Sequence, residues 1–221
     1  MIRGLILDFD GLVLETEGPI FQSWSEFYTD HGASLSHERW SLIIGASEDA
    51  IDPFAELEQM IGHKLARERL APQRRKRELE LVEAQEVMPG VLDLLNQADA
   101  LGLVLGVASS SDRGWVAGHL DRLGLLERFA CLRTSDDVAQ AKPAPDLYLA
   151  ALACLGLQPE AALAFEDSAN GVAAAKAAGI FTVAVPTEMT RTLDFSAADL
   201  KLASLADLDL KALMQLAAHN P

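Results

Sequence analysis

The stretch Leu5-Ile6-Leu7-Asp8-Phe9-Asp10-Gly11 places two acidic residues, two positions apart, directly after an apolar run. The apolar run predicts a buried β-strand, and side chains two residues apart on a strand point to the same side. Two carboxylates this close need a cation to neutralise them. A hard divalent ion such as Mg²⁺, which prefers oxygen ligands, is a candidate. The alternative is an acidic strand end in which Gly11 supplies the bend of a turn.

The composition is that of a globular protein, since half of the 221 residues are hydrophobic and 23% are charged. The formal net charge of −15 argues against a nucleic-acid surface, because phosphate backbones are bound chiefly through clustered Lys and Arg. One basic stretch, residues 64–77, predicts a solvated helix face of which one or two members could meet an anionic ligand. No run approaches the roughly 18 apolar residues of a membrane span, and we see no secretory signal. We therefore expect a cytoplasmic protein without a nucleic-acid or membrane partner.

Cys131 and Cys154 both lie among apolar neighbours. A cysteine in such surroundings usually behaves as a small buried hydrophobe. The sequence therefore implies no disulfide framework. The five histidines show no metal-ligand spacing.

The apolar pattern divides the chain into a helical insertion and an alternating core. Helices are predicted at residues 20–28, 40–44, 51–61 and 74–86, with no strand among them. After the turn signal Met88-Pro89-Gly90, predicted strands at 103–108, 129–133, 162–165, 181–185 and 200–203 alternate with helices. This order predicts an α/β fold, a doubly wound parallel sheet with a Rossmann-like core. We expect residues 1–15 and 89–221 to form that core and residues 16–88 an inserted, all-helical cap domain.

Polar residues follow the predicted core strands. The second strand leads to Ser109-Ser110-Ser111, the loop after the third contains Lys142, and the fourth leads to Glu166-Asp167. Each has an ordinary structural explanation: a helix cap, a surface lysine, an acidic lead-in to a helix. Ligands of such sheets, however, bind beyond the carboxyl ends of the strands. Together with the first acidic pair, these residues would form an oxygen-rich metal site beside an anion site.

In this order and strand context, the motifs resemble those of the haloacid dehalogenase-like superfamily of phosphotransferases. The motifs are Asp8-x-Asp10-Gly11, Ser109, Lys142-Pro143 and Glu166-Asp167-Ser168. The resemblance covers nearly the whole chain. The helical insertion resembles the cap of the branch that contains beta-phosphoglucomutases and small-metabolite phosphatases, and residues 142–146 and 165–171 are also typical of that branch.

The resemblance implies roles for the acidic residues. Asp8 would be the nucleophile that forms an aspartyl-phosphate, and Asp10 would be the general acid and base. Mg²⁺ would be held by the Asp8 carboxylate, the backbone carbonyl of Asp10 and Asp167. Glu166 would support these ligands without binding the ion directly, or would bind it through a bridging water.

The same resemblance implies a phosphate cradle. Ser109, the ammonium group of Lys142, and backbone N–H groups near Phe9, Asp10 and Ser110 would hold the transferred phosphoryl group. The expected function is Mg²⁺-dependent hydrolysis of a small phosphorylated metabolite, by a monomer or weak homo-oligomer. Dehalogenation is disfavoured, because it needs neither this metal site nor a second acid.

Two alternatives stay open. A sugar phosphomutase of the beta-phosphoglucomutase type would share the core motifs, but its cap histidine and cap arginine correspond here to Ile20 and Glu48. Arg74, Arg75 or Arg77 could still meet a second anionic group of a substrate. The remote alternative is a phosphate-binding module that has kept the site and lost turnover. The identity of the substrate stays open.

Overall fold

The computed structural model describes residues 1–44 and 52–219, which form two compact units. The first unit comprises Met1–Leu14 and Val87–Pro221, and the second comprises Glu15–Glu86. The chain leaves the first unit after Leu14 and returns at Val87, and these two residues form an antiparallel bridge. The first unit is therefore built from two separate parts of the chain.

The first unit contains a six-stranded parallel sheet with the order β3-β2-β1-β4-β5-β6. The strands are β1 (Gly4–Leu7), β2 (Val104–Ala108), β3 (Cys131–Arg133), β4 (Ala162–Glu166), β5 (Phe181–Ala184) and β6 (Leu200–Lys201). Every residue of β1 is buried, as expected for a strand covered on both faces. Leu7 pairs with Val107 on one side and Phe165 on the other, so the strand order changes direction at β1. The predicted doubly wound parallel fold is confirmed.

The helices fall into two groups: among the described residues, the first four follow β1 with no strand between them, and the next four alternate with β2 to β5. They are α1 (Glu17–Asp30), α2 (His37–Ile44), α3 (Pro53–Ile61), α4 (Arg67–Glu83), α5 (Val91–Ala100), α6 (Arg113–Arg122), α7 (Asp146–Leu155), α8 (Ala169–Ala177) and α9 (Leu210–His219). Short 3-10 turns occur at Leu126–Arg128, Ser135–Asp137, Pro159–Ala161 and Leu205–Asp207. Within the described part of the chain, no helix has the length and apolar character that crossing a bilayer requires.

Side-chain caps begin the two helices that follow β2 and β4. Asp112 accepts a hydrogen bond from the backbone N–H of Trp115 at 2.8 Å, and Ser168 accepts one from Gly171 at 3.1 Å. These caps fix the N-termini of α6 and α8 at the carboxyl edge of the sheet. The positive end of each helix dipole therefore lies at the edge where the predicted anion site is expected.

The second unit consists of α1 to α4 and has an aromatic core. The rings of Trp24 and Phe54 meet edge to face at 5.1 Å, and Trp24 and Phe27 meet at 5.9 Å. Helix α4 begins at Arg67, seven positions before the predicted start at residue 74. Its first turns carry little apolar periodicity, and they are anchored instead by Arg67, whose Nε donates to the buried Glu58 at 2.9 Å. The predicted start of the preceding helix, Ile51, lies outside the described residues.

The cysteines form a disulfide, so the expectation of two separate buried hydrophobes is wrong. Cys131 begins β3 and Cys154 lies in the last turn of α7, and their Cα atoms are 6.2 Å apart. Cys131 is buried, as expected, whereas Cys154 is exposed. Helix α7 packs on β2 and β3, and that non-local contact, which residue spacing does not reveal, brings the two sulfurs together.

Candidate active site

Three carboxylates form a buried cluster at the ends of β1 and β4. One oxygen from each of Asp8, Glu166 and Asp167 lies within 4.8 Å of the others, and the three residues are at most 6% exposed. The pairing of β1 with β4 explains their proximity, because the backbone N–H of Asp8 donates to the carbonyl of Phe165 at 3.0 Å. Like charges held this closely repel one another, so the cluster requires a positive partner.

Lys142 supplies one positive charge to the three-acid cluster. Its Nζ lies 2.5 Å from Asp8 Oδ1 and 2.6 Å from Glu166 Oε1, and its side chain is 6% exposed. Burial disfavours the ammonium charge, but the two carboxylates more than offset this and raise the pKa of Lys142 above its usual value. Lys142 is therefore a fixed cation. The peptide bond between Lys142 and Pro143 is cis.

A second donor also reaches the Glu166 oxygen that Lys142 contacts. The hydroxyl of Tyr148, a fully buried residue of α7, donates to Glu166 Oε1 at 2.5 Å. Ser168 donates to the other oxygen, Oε2, at 3.3 Å. Glu166 is thus held by protein groups on both oxygens, which suits a supporting role in a metal site.

The cluster keeps an excess of negative charge despite Lys142. Burial raises the pKa of Asp8 from 3.8 to about 7; Lys142 lowers it, while Glu166 and Asp10 raise it further. Three carboxylates against one ammonium group therefore leave room for another cation. Closely spaced, buried carboxylate oxygens fit a hard divalent ion, which prefers such ligands.

The side chain of Asp10 is bound by the loop after β2 and by α6. Its Oδ1 accepts from the indole N–H of Trp115 at 2.8 Å. Its Oδ2 accepts from the hydroxyls of Ser111 at 2.7 Å and Ser109 at 3.3 Å. The predicted residue Ser110 lies between these two serines and is half-buried. The sequence-predicted residues thus meet at one edge of the sheet, with Asp10 in a separate hydrogen-bond network.

Two glycines make room for the acids of the cluster. A Cβ atom on Gly11, whose φ is +74°, would lie 2.2 Å from Asp167 Oδ2. A Cβ atom on Gly171, in the first turn of α8, would lie 1.8 Å from Glu166 Oε2. Asp167 is further fixed by Thr190, whose hydroxyl donates to its backbone carbonyl at 2.7 Å.

Sequence reasoning missed Tyr148 and Trp115 as site residues. Both lie in the first turn of a helix, and each of those helices follows a loop that carries a predicted site residue. Both are aromatic residues with one polar atom, which usually finds a partner when buried. An aromatic residue with one polar atom, in the first turn of a helix that follows a site loop, was the signal from which the sequence could have predicted both residues. Of the two positions that weighed against a mutase, Ile20 lies in α1 and Glu48 lies outside the described residues.

Comparisons with known proteins found relatives that are named as phosphatases. A protein of Bacillus subtilis strain 168 named "Putative phosphatase YhcW" is 45% identical over 97% of this chain and 97% of its own. Hexitol phosphatase B of Escherichia coli K12 is 31% identical over 96% of this chain and 97% of its own. The validoxylamine A 7'-phosphate phosphatase of Streptomyces hygroscopicus is 31% identical over 85% and 87%.

Solved structures share the fold over almost the full length. CbbY from Rhodobacter sphaeroides, crystallised with phosphate, has a TM-score of 0.76 and 29% identity, covering 94% of this chain and 96% of that one. A beta-phosphoglucomutase from Clostridium difficile has a TM-score of 0.80 at 20% identity, with 100% and 99% covered, and shows the fold alone. The family model described as haloacid dehalogenase-like hydrolase matches residues 5–185. With the fold, the acidic edge of the sheet and this match in agreement, the chain belongs to the haloacid dehalogenase-like hydrolases.

Proposed function

We propose that this protein is a Mg²⁺-dependent phosphomonoester hydrolase that acts on a small phosphorylated metabolite through an aspartyl-phosphate at Asp8. The observation that carries the proposal is the contact of Lys142 with the buried cluster of Asp8, Glu166 and Asp167. Relatives named as phosphatases support the hydrolytic activity. We place the enzyme in the cytoplasm, as a monomer or weak homo-oligomer.

The cluster provides the ligands for Mg²⁺. Asp8 and Asp167 would hold the ion with the backbone carbonyl of Asp10, and Glu166 would support them. When bound, the ion supplies positive charge against the nucleophile and the phosphoryl oxygens. Lys142 adds a fixed positive charge to the same region, which favours the build-up of charge during phosphoryl transfer.

The reaction divides into two displacements at phosphorus. First, a carboxylate oxygen of Asp8 bonds to phosphorus, the bond from phosphorus to the leaving oxygen breaks, and Asp10 gives its proton to that oxygen. Then a water oxygen attacks phosphorus, Asp10 takes a proton from the water, and the bond to Asp8 breaks. Inorganic phosphate leaves, and both carboxyl groups return to their starting states.

Hydrolysis is favoured over the mutase alternative. Sugar phosphomutases have a cap histidine at the position that corresponds here to Ile20. The aliphatic side chain of Ile20 cannot transfer a proton. The beta-phosphoglucomutase with a TM-score of 0.80 supports only the shared fold. A mutase would convert a sugar phosphate into its isomer with little release of inorganic phosphate.

The test measures inorganic phosphate released from p-nitrophenyl phosphate and from a panel of small phosphomonoesters, with Mg²⁺ and with EDTA. We expect Mg²⁺-dependent release, and we expect Asp8→Asn to lower kcat by about a thousandfold or more, because the nucleophile is lost. The matched control is Asp121→Asn, which changes an exposed carboxylate of α6. An Asp8→Asn variant within tenfold of the wild type would overturn the proposal, and isomerised sugar phosphate without phosphate release would favour the mutase.

A further inference from the structure

The indole of Trp115 is held firmly against Asp10. Its Nε1–H donates to Asp10 Oδ1 at 2.8 Å. The backbone N–H of Trp115 is capped by Asp112 at 2.8 Å, which fixes the residue at the start of α6. The buried ring lies edge to face against His119 with centroids 4.3 Å apart, and His119 in turn stacks with Phe9. Trp115 is therefore held at its backbone by Asp112, at its indole N–H by Asp10 and at its ring by His119.

The two oxygens of Asp10 meet donors of different kinds. An indole N–H can only donate a hydrogen bond, so Oδ1 must act as an acceptor whether Asp10 is charged or neutral. Oδ2 faces the hydroxyls of Ser111 and Ser109 at 2.7 and 3.3 Å. A hydroxyl can donate or accept, so Oδ2 can carry a proton without losing its partners.

We propose that Trp115 is a positioning residue for the general acid. Its indole N–H donates to Asp10 Oδ1 and keeps that oxygen unprotonated, so Oδ2 carries the proton that is given to the leaving oxygen. This inference rests on the proposed hydrolase function. In the first displacement, the Oδ2–H bond breaks and an H–O bond forms on the leaving group, while Asp10 becomes a carboxylate. Without the indole N–H, the proton can occupy either oxygen and the carboxyl group can turn.

The test compares two esters whose leaving groups differ in their need for a proton. The parameter kcat/KM includes only the steps up to departure of the leaving group. p-Nitrophenolate leaves readily without protonation, whereas phenolate depends on the acid. For Trp115→Phe we expect kcat/KM for phenyl phosphate to fall about tenfold, and kcat/KM for p-nitrophenyl phosphate to stay within about twofold. General damage to the fold would lower both values alike.

Trp40→Phe is the matched control. Trp40 is also buried, but its indole N–H has no hydrogen-bond partner among the described residues. This variant should change kcat/KM for both esters by the same factor. Equal losses on both esters in Trp115→Phe would overturn the role of Trp115 alone, whereas a wild type inactive on both would contradict the proposed function and this role with it.

A spectroscopic measurement tests the contact without turnover and without relying on the Trp115 variant to fold. The chain has three tryptophans, so its indole N–H signals are readily separated by ¹H–¹⁵N NMR. In Asp10→Ala, the Trp115 signal should move upfield because its hydrogen bond to the carboxylate is lost, while the Trp40 signal should stay in place. A Trp115 signal that does not move would overturn the proposal.

Discussion

Lys142 is a buried cation that contacts two members of the three-acid cluster. Lys142→Met would leave Asp8 and Glu166 buried without it, so we expect the metal-free protein to lose about 3 kcal/mol of unfolding free energy. Urea unfolding in EDTA measures this loss. Lys176→Met is the control, because Lys176 forms a similar 2.6 Å contact with Asp199 at a more exposed position. That variant should lose at most about 1 kcal/mol, and equal losses in the two variants would contradict the prediction.

Asp8 makes the metal-free protein sensitive to pH. Burial, the largest cause, raises the pKa of Asp8 from its usual 3.8 to about 7 in the folded protein. Between these values the folded state binds more protons than the unfolded state, so the contribution of Asp8 to the unfolding free energy falls as pH rises from about 4 to about 7. Asp8→Asn removes this contribution.

Urea unfolding in EDTA at intervals from pH 4 to pH 8 measures that difference. We expect the stability of Asp8→Asn relative to the wild type to increase with pH across this window. Saturating Mg²⁺ should abolish the increase, because the ion stabilises the ionised form of Asp8 in the wild type. Profiles that run parallel in EDTA would show that burial does not hold a proton on Asp8.

The first turn of α8 contains Gly171, which leaves room for the carboxylate of Glu166. Gly171→Ala would place a Cβ atom 1.8 Å from Glu166 Oε2, so the carboxylate must move. We expect at least a tenfold loss in Mg²⁺ affinity, measured by isothermal titration, and about 1–3 kcal/mol lower stability from overpacking. Gly118→Ala in α6 is the control, because nothing lies within 4 Å of its Cβ position.

Gly118→Ala should instead stabilise the protein by up to about 1 kcal/mol, since alanine favours helix more than glycine does. The two substitutions add the same methyl group to two helices of the same unit. Unchanged Mg²⁺ affinity in Gly171→Ala would therefore mean that the position of Glu166 does not control the metal site.

Over the whole molecule, the parts that depend on local pattern were predictable from the sequence. Apolar runs and helix periodicity predict the doubly wound sheet, and strand ends predict which polar residues meet at its edge. Contacts that depend on how a helix packs on the sheet, or on the direction of one side chain, were not predictable. The disulfide between Cys131 and Cys154 depends on how α7 packs on β3. The hydrogen bonds from Trp115 to Asp10 and from Tyr148 to Glu166 depend on the directions of single side chains. The type of a residue limits which partners its side chain can bind, but it does not determine which partner is bound in the fold.

The net charge of −15 means that any salt will screen repulsion across the molecule, so a rise in Tm with MgCl₂ does not by itself demonstrate a metal site. A specific site adds stability by mass action, about 2.7 kcal/mol at a Mg²⁺ concentration one hundred times Kd. We therefore expect MgCl₂ to raise Tm more than NaCl at equal ionic strength. Asp167→Asn removes one ligand, so it should abolish the excess produced by Mg²⁺ and keep the response to NaCl. Equal rises with both salts in the wild type would contradict a specific site, because screening depends on ionic strength and not on the geometry of three carboxylates.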